Sequence, residues 1–91
     1  MEFEWDEAKS LKCLESRGFS FQFAARIFAD ENRITQLDGR QDYGEARFQV
    51  TGTINGRLFV VVFTRRKQKI RIISARKANE REVRYYEEKT H

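Results

Sequence analysis

A β-rich segment from Leu58 to Arg76 joins the most apolar stretch of the chain to its densest cluster of positive charge. Leu58 to Thr64 is almost continuously apolar, which is typical of a strand that is covered on both faces. A basic turn over 65–69 follows, and Ile70 to Arg76 forms a second β-rich run. The pattern therefore predicts a β-hairpin whose apolar core presents cations, and whose partner would carry negative charge.

The composition limits the class of protein. Ninety-one residues make a single domain over 1–91, and a formal net charge of +4 favours an anionic partner such as nucleic acid, an acidic protein or a membrane surface. The single cysteine, Cys13, excludes an internal disulfide and supplies no metal cluster. The acidic N-terminus is unlike a signal peptide, and no apolar run reaches the roughly 18 residues that span a bilayer. We expect a cytoplasmic protein that has no cofactor and no contact with membrane.

The first third of the chain has the pattern of a helical hairpin. Phe3-Glu4-Trp5 alternates like a short edge strand, and Asp6 and Gly18 are typical N-cap and stop residues of a first helix. Its apolar residues recur at threes and predict one buried face: Ala8, Leu11 and Leu14. Ser20 can cap a second helix, in which apolar residues recur at helical spacing: Phe21, Ala24, Ala25 and Phe28.

The remainder of the chain has the pattern of consecutive strands and a last helix. The signals are strands over 33–37 and 47–52, turns at Asp42-Tyr43-Gly44 and Asn55-Gly56, and an Asn79 to Glu82 capping box that opens a helix to about Lys89. Consecutive strands joined by turns indicate antiparallel pairing. We therefore predict an α+β fold with a small antiparallel sheet of about four strands, an N-terminal helical hairpin and a C-terminal helix.

Two motifs at opposite ends of the chain are specific in combination: Phe3-Glu4-Trp5-Asp6 and Arg71-Ile72-Ile73-Ser74-Ala75-Arg76. Further matching residues lie in order along the chain: Ala8-Lys9, Gly18, Ser20-Phe21, Ala24, Phe28-Ala29-Asp30, Gly44-Glu45, Arg47-Phe48, Gly52, Leu58 to Thr64, Ala78, Glu82 and Tyr86. With this set the chain resembles the BrnT family, ribonuclease toxins of bacterial type II toxin–antitoxin systems.

The resemblance implies a RelE-like fold and metal-independent endonucleolytic cleavage of RNA, which inhibits translation. It also implies neutralisation by a BrnA-type antitoxin with a ribbon-helix-helix part, so that operator DNA is contacted only through the antitoxin. Two positions depart from the family, which often has Asn at Cys13 and His at Arg17; the one histidine here is His91. The alternative function is a catalytically weak or inactive module that binds RNA and antitoxin in autoregulation of its operon.

Cleavage of RNA without a metal uses the 2′-hydroxyl of the substrate as nucleophile, and needs a base, an acid and cations at the phosphate. Arg71 and Arg76 are the best candidates for phosphate and transition-state binding, because guanidinium groups stay charged and can hold two oxygens at once. Regular alternation puts them on opposite faces of a strand, so they converge only where the strand ends or bulges near Ser74. Alternatively, one of them pairs with an acid beneath a helix.

Glu45 and Arg47 share a face if Glu45 already lies in the strand. In that case the carboxylate could be a general base, could hold Arg47, or could form an ordinary salt bridge. If Glu45 is the general base, Glu45→Gln should abolish cleavage while the fold stays intact.

Tyr86 on the last helix is the candidate for proton transfer or base stacking, because nearby arginines could lower its pKa. Tyr85 is its neighbour, and either tyrosine could instead be a core residue.

Four basic residues are candidates for contact with the RNA backbone: Lys9, Arg65, Arg66 and Lys69. Phosphate contacts of this kind add affinity without reading sequence. Lys9 could equally be a first-turn surface lysine, and the other three could belong to a solvated hairpin turn.

Overall fold

The structure is a computed structural model that describes residues 1–39 and 44–90. In chain order its elements are β1 (Glu2–Trp5), α1 (Glu7–Arg17), α2 (Phe21–Ala24), a 3₁₀ helix (Ala25–Ala29), β2 (Ile34–Asp38), β3 (Arg47–Ile54), β4 (Arg57–Arg66), β5 (Lys69–Lys77) and α3 (Glu80–Thr90). This order confirms the predicted α+β class. Most of the predicted turn at Asp42-Tyr43-Gly44, and His91, lie outside the described residues.

The sheet differs from the prediction in its first strand. In the described part of the chain, five strands form one sheet in the order β1-β5-β4-β3-β2. β1 pairs with β5 in parallel, with Phe3 opposite Ile70, while the other neighbours are antiparallel. The expected antiparallel sheet of about four strands is therefore corrected to a mixed sheet of five. Pairing of a strand this short depends on a neighbour more than 60 positions away, which local pattern does not encode.

α1, α2 and the 3₁₀ helix cover one face of the sheet and form the core. Buried side chains from both layers meet there, among them Phe21, Ile27, Val61, Phe63 and Ile72. The N-caps at Asp6 and Ser20 and the left-handed Gly18 (φ 87°) are confirmed.

The predicted buried face of α1 is wrong. Leu11 and Leu14 are 59% and 46% exposed, and Ser10 and Cys13 are buried instead. The Ser10 hydroxyl accepts a hydrogen bond from the Phe21 backbone N–H at 2.9 Å. A polar side chain therefore occupies the inner face because the chain entering α2 needs an acceptor there.

Close packing of the 3₁₀ helix on β3 requires glycine at position 52. A Cβ on Gly52 would lie 3.0 Å from Ile27 Cγ1 and 3.1 Å from Asp30 Oδ2. The predicted second helix accordingly continues from α2 as a tighter 3₁₀ turn, which ends at Ala29.

The central hairpin is confirmed and is tighter than predicted. β4 continues through Arg66 and β5 begins at Lys69, so the turn consists of Lys67 and Gln68. Lys67 takes a left-handed conformation with φ 57°, as does Asn55 (φ 53°) in the preceding hairpin. Arg65 and Arg66 therefore belong to a strand and point to opposite faces of the sheet.

α3 lies against the sheet face opposite α1 and α2. Its predicted capping box is confirmed, because Asn79 Oδ1 accepts from the Glu82 N–H at 2.8 Å and Glu82 Oε1 accepts from the Asn79 N–H at 2.9 Å. Among the described residues, no helix is long and apolar enough to cross a membrane. The part of this sheet face that α3 leaves open carries the candidate site.

Candidate active site

A β-bulge in β5 brings the two best candidate arginines to one face. Val62 pairs with Ser74 and Phe63 pairs with Ile72, so Ile73 is an extra residue without a partner across the ladder. Arg71 lies opposite Thr64 and Arg76 lies opposite Val60, and both positions of β4 share a face. Directly opposed residues in antiparallel strands also share a face. Arg71 and Arg76 therefore project from the same side of the sheet, although regular alternation would separate them.

A transverse row of side chains crosses this face at the level of Thr64. Arg47 of β3 and Arg71 of β5 both lie opposite Thr64, so about two strand spacings, roughly 10 Å, separate their Cα atoms. Thr64 is 1% exposed, and its hydroxyl donates to the Ala46 carbonyl at 2.7 Å. Thr64 is thus a short, buried residue between two longer arginine side chains. We call the sheet side that bears Arg47, Arg71 and Arg76 the arginine face.

Among the described residues, three arginines on this side of the sheet form ion pairs with glutamates from different parts of the chain. Arg71 Nη1 donates to Glu4 Oε2 at 3.1 Å, and Arg76 makes two hydrogen bonds of 2.8 Å to the carboxylate of Glu82. The third pair is Arg66 with Glu45, at 3.0 Å. Such pairs fix the direction of a guanidinium group. Arg76 Nη1 also donates to the Lys77 carbonyl at 3.3 Å. The predicted pairing of one of the two candidate arginines with an acid is therefore observed for both Arg71 and Arg76.

Glu45 lies just before β3 rather than within it. The strand begins at Arg47, and the Glu45 carboxylate turns to Arg66. The hydrogen bond from Arg66 lowers the pKa of Glu45, with help from the charges of Arg66 and Arg47. Glu45 thus lies at the outer end of the arginine face. Because it is not part of β3, strand alternation does not place it on the same face as Arg47.

Tyr86 is tied to Asp30 rather than to the arginines. Its hydroxyl donates to Asp30 Oδ2 at 2.6 Å, and the same oxygen accepts from the Thr53 N–H at 2.8 Å and from the Thr53 hydroxyl at 3.1 Å. Burial and the hydrogen bond to Asp30 raise the pKa of Tyr86, which corrects the expected lowering by arginines. Sequence reasoning missed Asp30 as the hub of this contact. Its position before Arg33 and the β2 strand gives no local signal of a partner 56 residues away.

The predicted RNA-contacting residues separate into two groups. Lys69 lies opposite Arg66, so these two extend the arginine face toward the hairpin turn. Arg65 points to the other side, with its guanidinium 5.6 Å from the Phe48 ring centroid and 5.9 Å from that of Phe63. Lys9 lines a groove between α1 and the edge of β5. The structure therefore places Arg66 and Lys69 beside Arg71, and Arg65 and Lys9 away from it.

Arg17 lies at the β5 edge beyond the end of β1. Its Nη1 donates to the Ala75 carbonyl at 2.7 Å, one residue from Arg76 in sequence. Burial raises the pKa of the neighbouring Cys13 thiol, and Arg17 partly opposes that rise. Arg17 therefore ties the end of α1 to the edge of β5.

A small α+β domain with an arginine-bearing sheet face has the chemistry of a protein that binds a phosphate-bearing ligand. The model of one protein family, the ribonuclease toxin BrnT of type II toxin–antitoxin systems, matches residues 5–82. The chain therefore belongs to this family of ribonuclease toxins, whose systems pair each toxin with an antitoxin. No curated protein matches the chain at a significant level.

Proposed function

We propose that this protein is a metal-independent endoribonuclease toxin that inhibits translation by cleaving RNA on the arginine face. The observation that carries the proposal is the β-bulge, because it puts Arg71 and Arg76 on one face together with Arg47. The phosphate would lie between these arginines, over the half-buried side chains of Val62 and Ser74. The family supports ribonuclease activity in general.

The proposed reaction is attack of the substrate's 2′-oxygen on the adjacent phosphorus. The P–O5′ bond breaks, a 2′,3′-cyclic phosphate forms, and one proton moves from the 2′-hydroxyl to a base while another reaches the leaving 5′-oxygen. Arg71 and Arg76 would neutralise the charge that accumulates on the phosphorane, which is the largest single catalytic contribution in many enzymes. Within residues 1–39 and 44–90, no three His, Cys, Asp or Glu side chains could share a metal ion.

Glu45 and Tyr86 would have different roles, one in proton transfer and the other in positioning α3. Glu45 stays the candidate general base because its carboxylate lies beside Arg66 at the outer end of the arginine face, although the hydrogen bond from Arg66 lowers its pKa and so weakens it as a proton acceptor. We propose that Tyr86 acts through Asp30 as a positioning residue that holds α3 over the sheet. Glu45→Gln should therefore abolish cleavage, whereas Tyr86→Phe should act mainly on stability.

RNA backbone would extend from the arginine face along Arg66 and Lys69, which share that side of the sheet. Lys9 and Arg65 stay predictions as further backbone contacts. We also propose that a BrnA-type antitoxin with a ribbon-helix-helix part covers the arginine face and that operator DNA is bound only through it. An acidic segment of the antitoxin would complement the net charge of +4.

The test is induction of the protein without its antitoxin, with growth and intact mRNA followed over time. Growth arrest with mRNA loss is expected for the wild type, and Arg71→Ala and Arg76→Ala should each lower cleavage about a hundredfold or more, as removal of one transition-state donor does. Arg57→Ala is the matched control, since Arg57 is exposed at the start of β4. No arrest and no RNA cleavage by the wild type would contradict the proposal.

Arg76 needs a second variant, because it also anchors Glu82 of α3. Glu82→Gln loosens the same contact while leaving the Arg76 charge in place. If Arg76→Ala abolishes cleavage and Glu82→Gln leaves most of it, the effect belongs to the cation and not to the helix.

One observation favours the second candidate function, a catalytically weak or inactive module that binds RNA and antitoxin. Arg17 is bound to the Ala75 carbonyl, at the position where the resemblance to the family implies a histidine. This candidate predicts tight antitoxin binding without growth arrest. Arg17→His would then create activity, whereas in the main proposal it changes little.

A further inference from the structure

A groove on the same side of the sheet lies between α3 and the β2–β3 edge. Its walls are formed by residues of the two strands and of α3: Ile34, Gln36, Gln49, Thr51, Arg81, Tyr85 and Glu82, whose carboxylate is paired with Arg76. The groove measures ≈ 260 Å³, just below the range of roughly 300 to 1,000 Å³ that is usual for ligand sites. It therefore suits a single ring system rather than a folded segment of protein.

The lining of the groove has the chemistry that holds an unpaired base. Tyr85 offers an aromatic ring at 42% exposure, and Lys89 Nζ lies 5.5 Å from its ring centroid. Gln36 and Gln49 face each other across β2 and β3. In the described part of the chain, neither of these two side-chain amides takes part in a hydrogen bond. An exposed aromatic ring stacks on a base, and an amide reads the donors and acceptors of the base edge.

The register places this groove directly beside the proposed phosphate position. Gln49 lies opposite Val62, and Val62 lies opposite Ser74, so one row runs from the groove to the bulge. Arg47 is two positions before Gln49 on the same side of β3. Arg81 adds positive charge at the outer wall of the groove. A nucleotide with its phosphate over Val62 and Ser74 could therefore place its base between Tyr85 and the two glutamines.

We propose that this groove is a nucleobase subsite, which binds one unpaired base of single-stranded RNA next to the cleaved phosphate and gives the enzyme a base preference at that position. The proposal rests on the proposed function. If the antitoxin occupies the groove instead, the experiment below distinguishes it from a base.

The experiment uses purified protein and a pool of single-stranded RNA of random sequence, whose cleavage ends are sequenced. Wild type should show a base preference at one fixed position beside the cut. Gln49→Ala and Tyr85→Ala should reduce that preference roughly tenfold, within the range expected for loss of one stacked base. Tyr85→Phe keeps the ring and should keep the preference. Gln22→Ala is the matched control, because Gln22 is an exposed glutamine of α2 on the other side of the sheet.

The outcomes separate the subsite from the proposed function. Cleavage with a base preference that is unchanged in Gln49→Ala and Tyr85→Ala overturns the subsite and leaves the function standing. If the same variants instead lose only affinity for the antitoxin, the groove is an antitoxin site and the subsite is again overturned. If wild type cleaves nothing, the function is overturned, and binding of 2-aminopurine-containing 2′-O-methyl RNA decides the subsite: Tyr85→Ala should weaken it roughly tenfold.

Discussion

Single residues on the arginine face each have two tasks. Arg76 holds α3 through a two-pronged contact with Glu82 and also supplies charge to the open face. Arg71 holds β1 through a single hydrogen bond to Glu4 and supplies charge to the same face. A lysine keeps the charge but cannot reproduce the planar fork. Replacement of either arginine by lysine is therefore expected to be far from conservative.

Tyr86→Phe is predicted to lower the free energy of unfolding by about 2 kcal/mol, since a hydrogen bond to a charged group is worth roughly 1.5–3 kcal/mol. The substitution removes the hydroxyl that donates to Asp30, and the ring stays in place. Urea unfolding measures the change, and RNA cleavage per folded molecule should stay near wild type.

Tyr85→Phe is the matched control for that experiment, because Tyr85 is an exposed neighbour on the same helix. Wild-type stability combined with lost cleavage in Tyr86→Phe would instead assign Tyr86 to the chemistry.

At the scale of elements, the fold depends on two close approaches. The bulge at Ile73 re-aims the end of β5, and Gly52 allows the 3₁₀ helix to lie on β3. The second approach also brings Asp30 to Thr53, and through Tyr86 it fixes the far side of α3. The position of α3 over the candidate site therefore depends on packing on the opposite face of the sheet.

Gly52→Ala is predicted to destabilise the protein by about 1–3 kcal/mol, the usual cost of overpacking a well-packed core. The added methyl would lie about 3 Å from Ile27 and Asp30, both of which are held by neighbours. Thermal or urea unfolding provides the measurement. Gly39→Ala is the control, because no atom of the described residues lies within 4 Å of a Cβ there. Equal effects of the two substitutions would contradict the prediction.

At the scale of the whole molecule, stability should depend on pH through paired carboxylates. The hydrogen bond from Arg76 holds the pKa of Glu82 below its ordinary 4.5. For Asp30, burial pushes the pKa upward, but hydrogen bonds from Tyr86, Thr53 and Asn32 outweigh it and leave the pKa below its ordinary 3.8. Groups with lowered pKa stabilise the fold fully above their ordinary values and lose that contribution as pH falls through the folded-state values.

The predicted stability is therefore flat from pH 7 to about 5 and declines below about pH 4. Glu82→Gln should make the acid decline shallower and cost about 1 kcal/mol at pH 7, because the pair is partly exposed. Urea unfolding across this pH range measures both effects. Glu87→Gln removes the same charge from an exposed position of α3 and should leave the curve unchanged. An identical acid decline in Glu82→Gln would contradict the assignment.

Features that depend on a few neighbouring residues could be predicted from the sequence alone. The caps at Asp6, Ser20 and Asn79, the left-handed Gly18 and the turn at Asn55 all follow from side-chain chemistry within four positions. Arg71 and Arg76 could also be chosen as candidates from residue type alone, because guanidinium groups suit the binding of phosphate.

Features that join distant parts of the chain were decided by the tertiary structure. The face of α1 that is buried, the parallel pairing of β1 and the Tyr86–Asp30 contact each depend on a partner far away in sequence. The bulge is the clearest case, because Ile73 differs in no local property from Ile72. One unpaired residue shifts every later side chain of a strand to the other face, so the ladder with β4 determines that Arg71 and Arg76 lie on the same face.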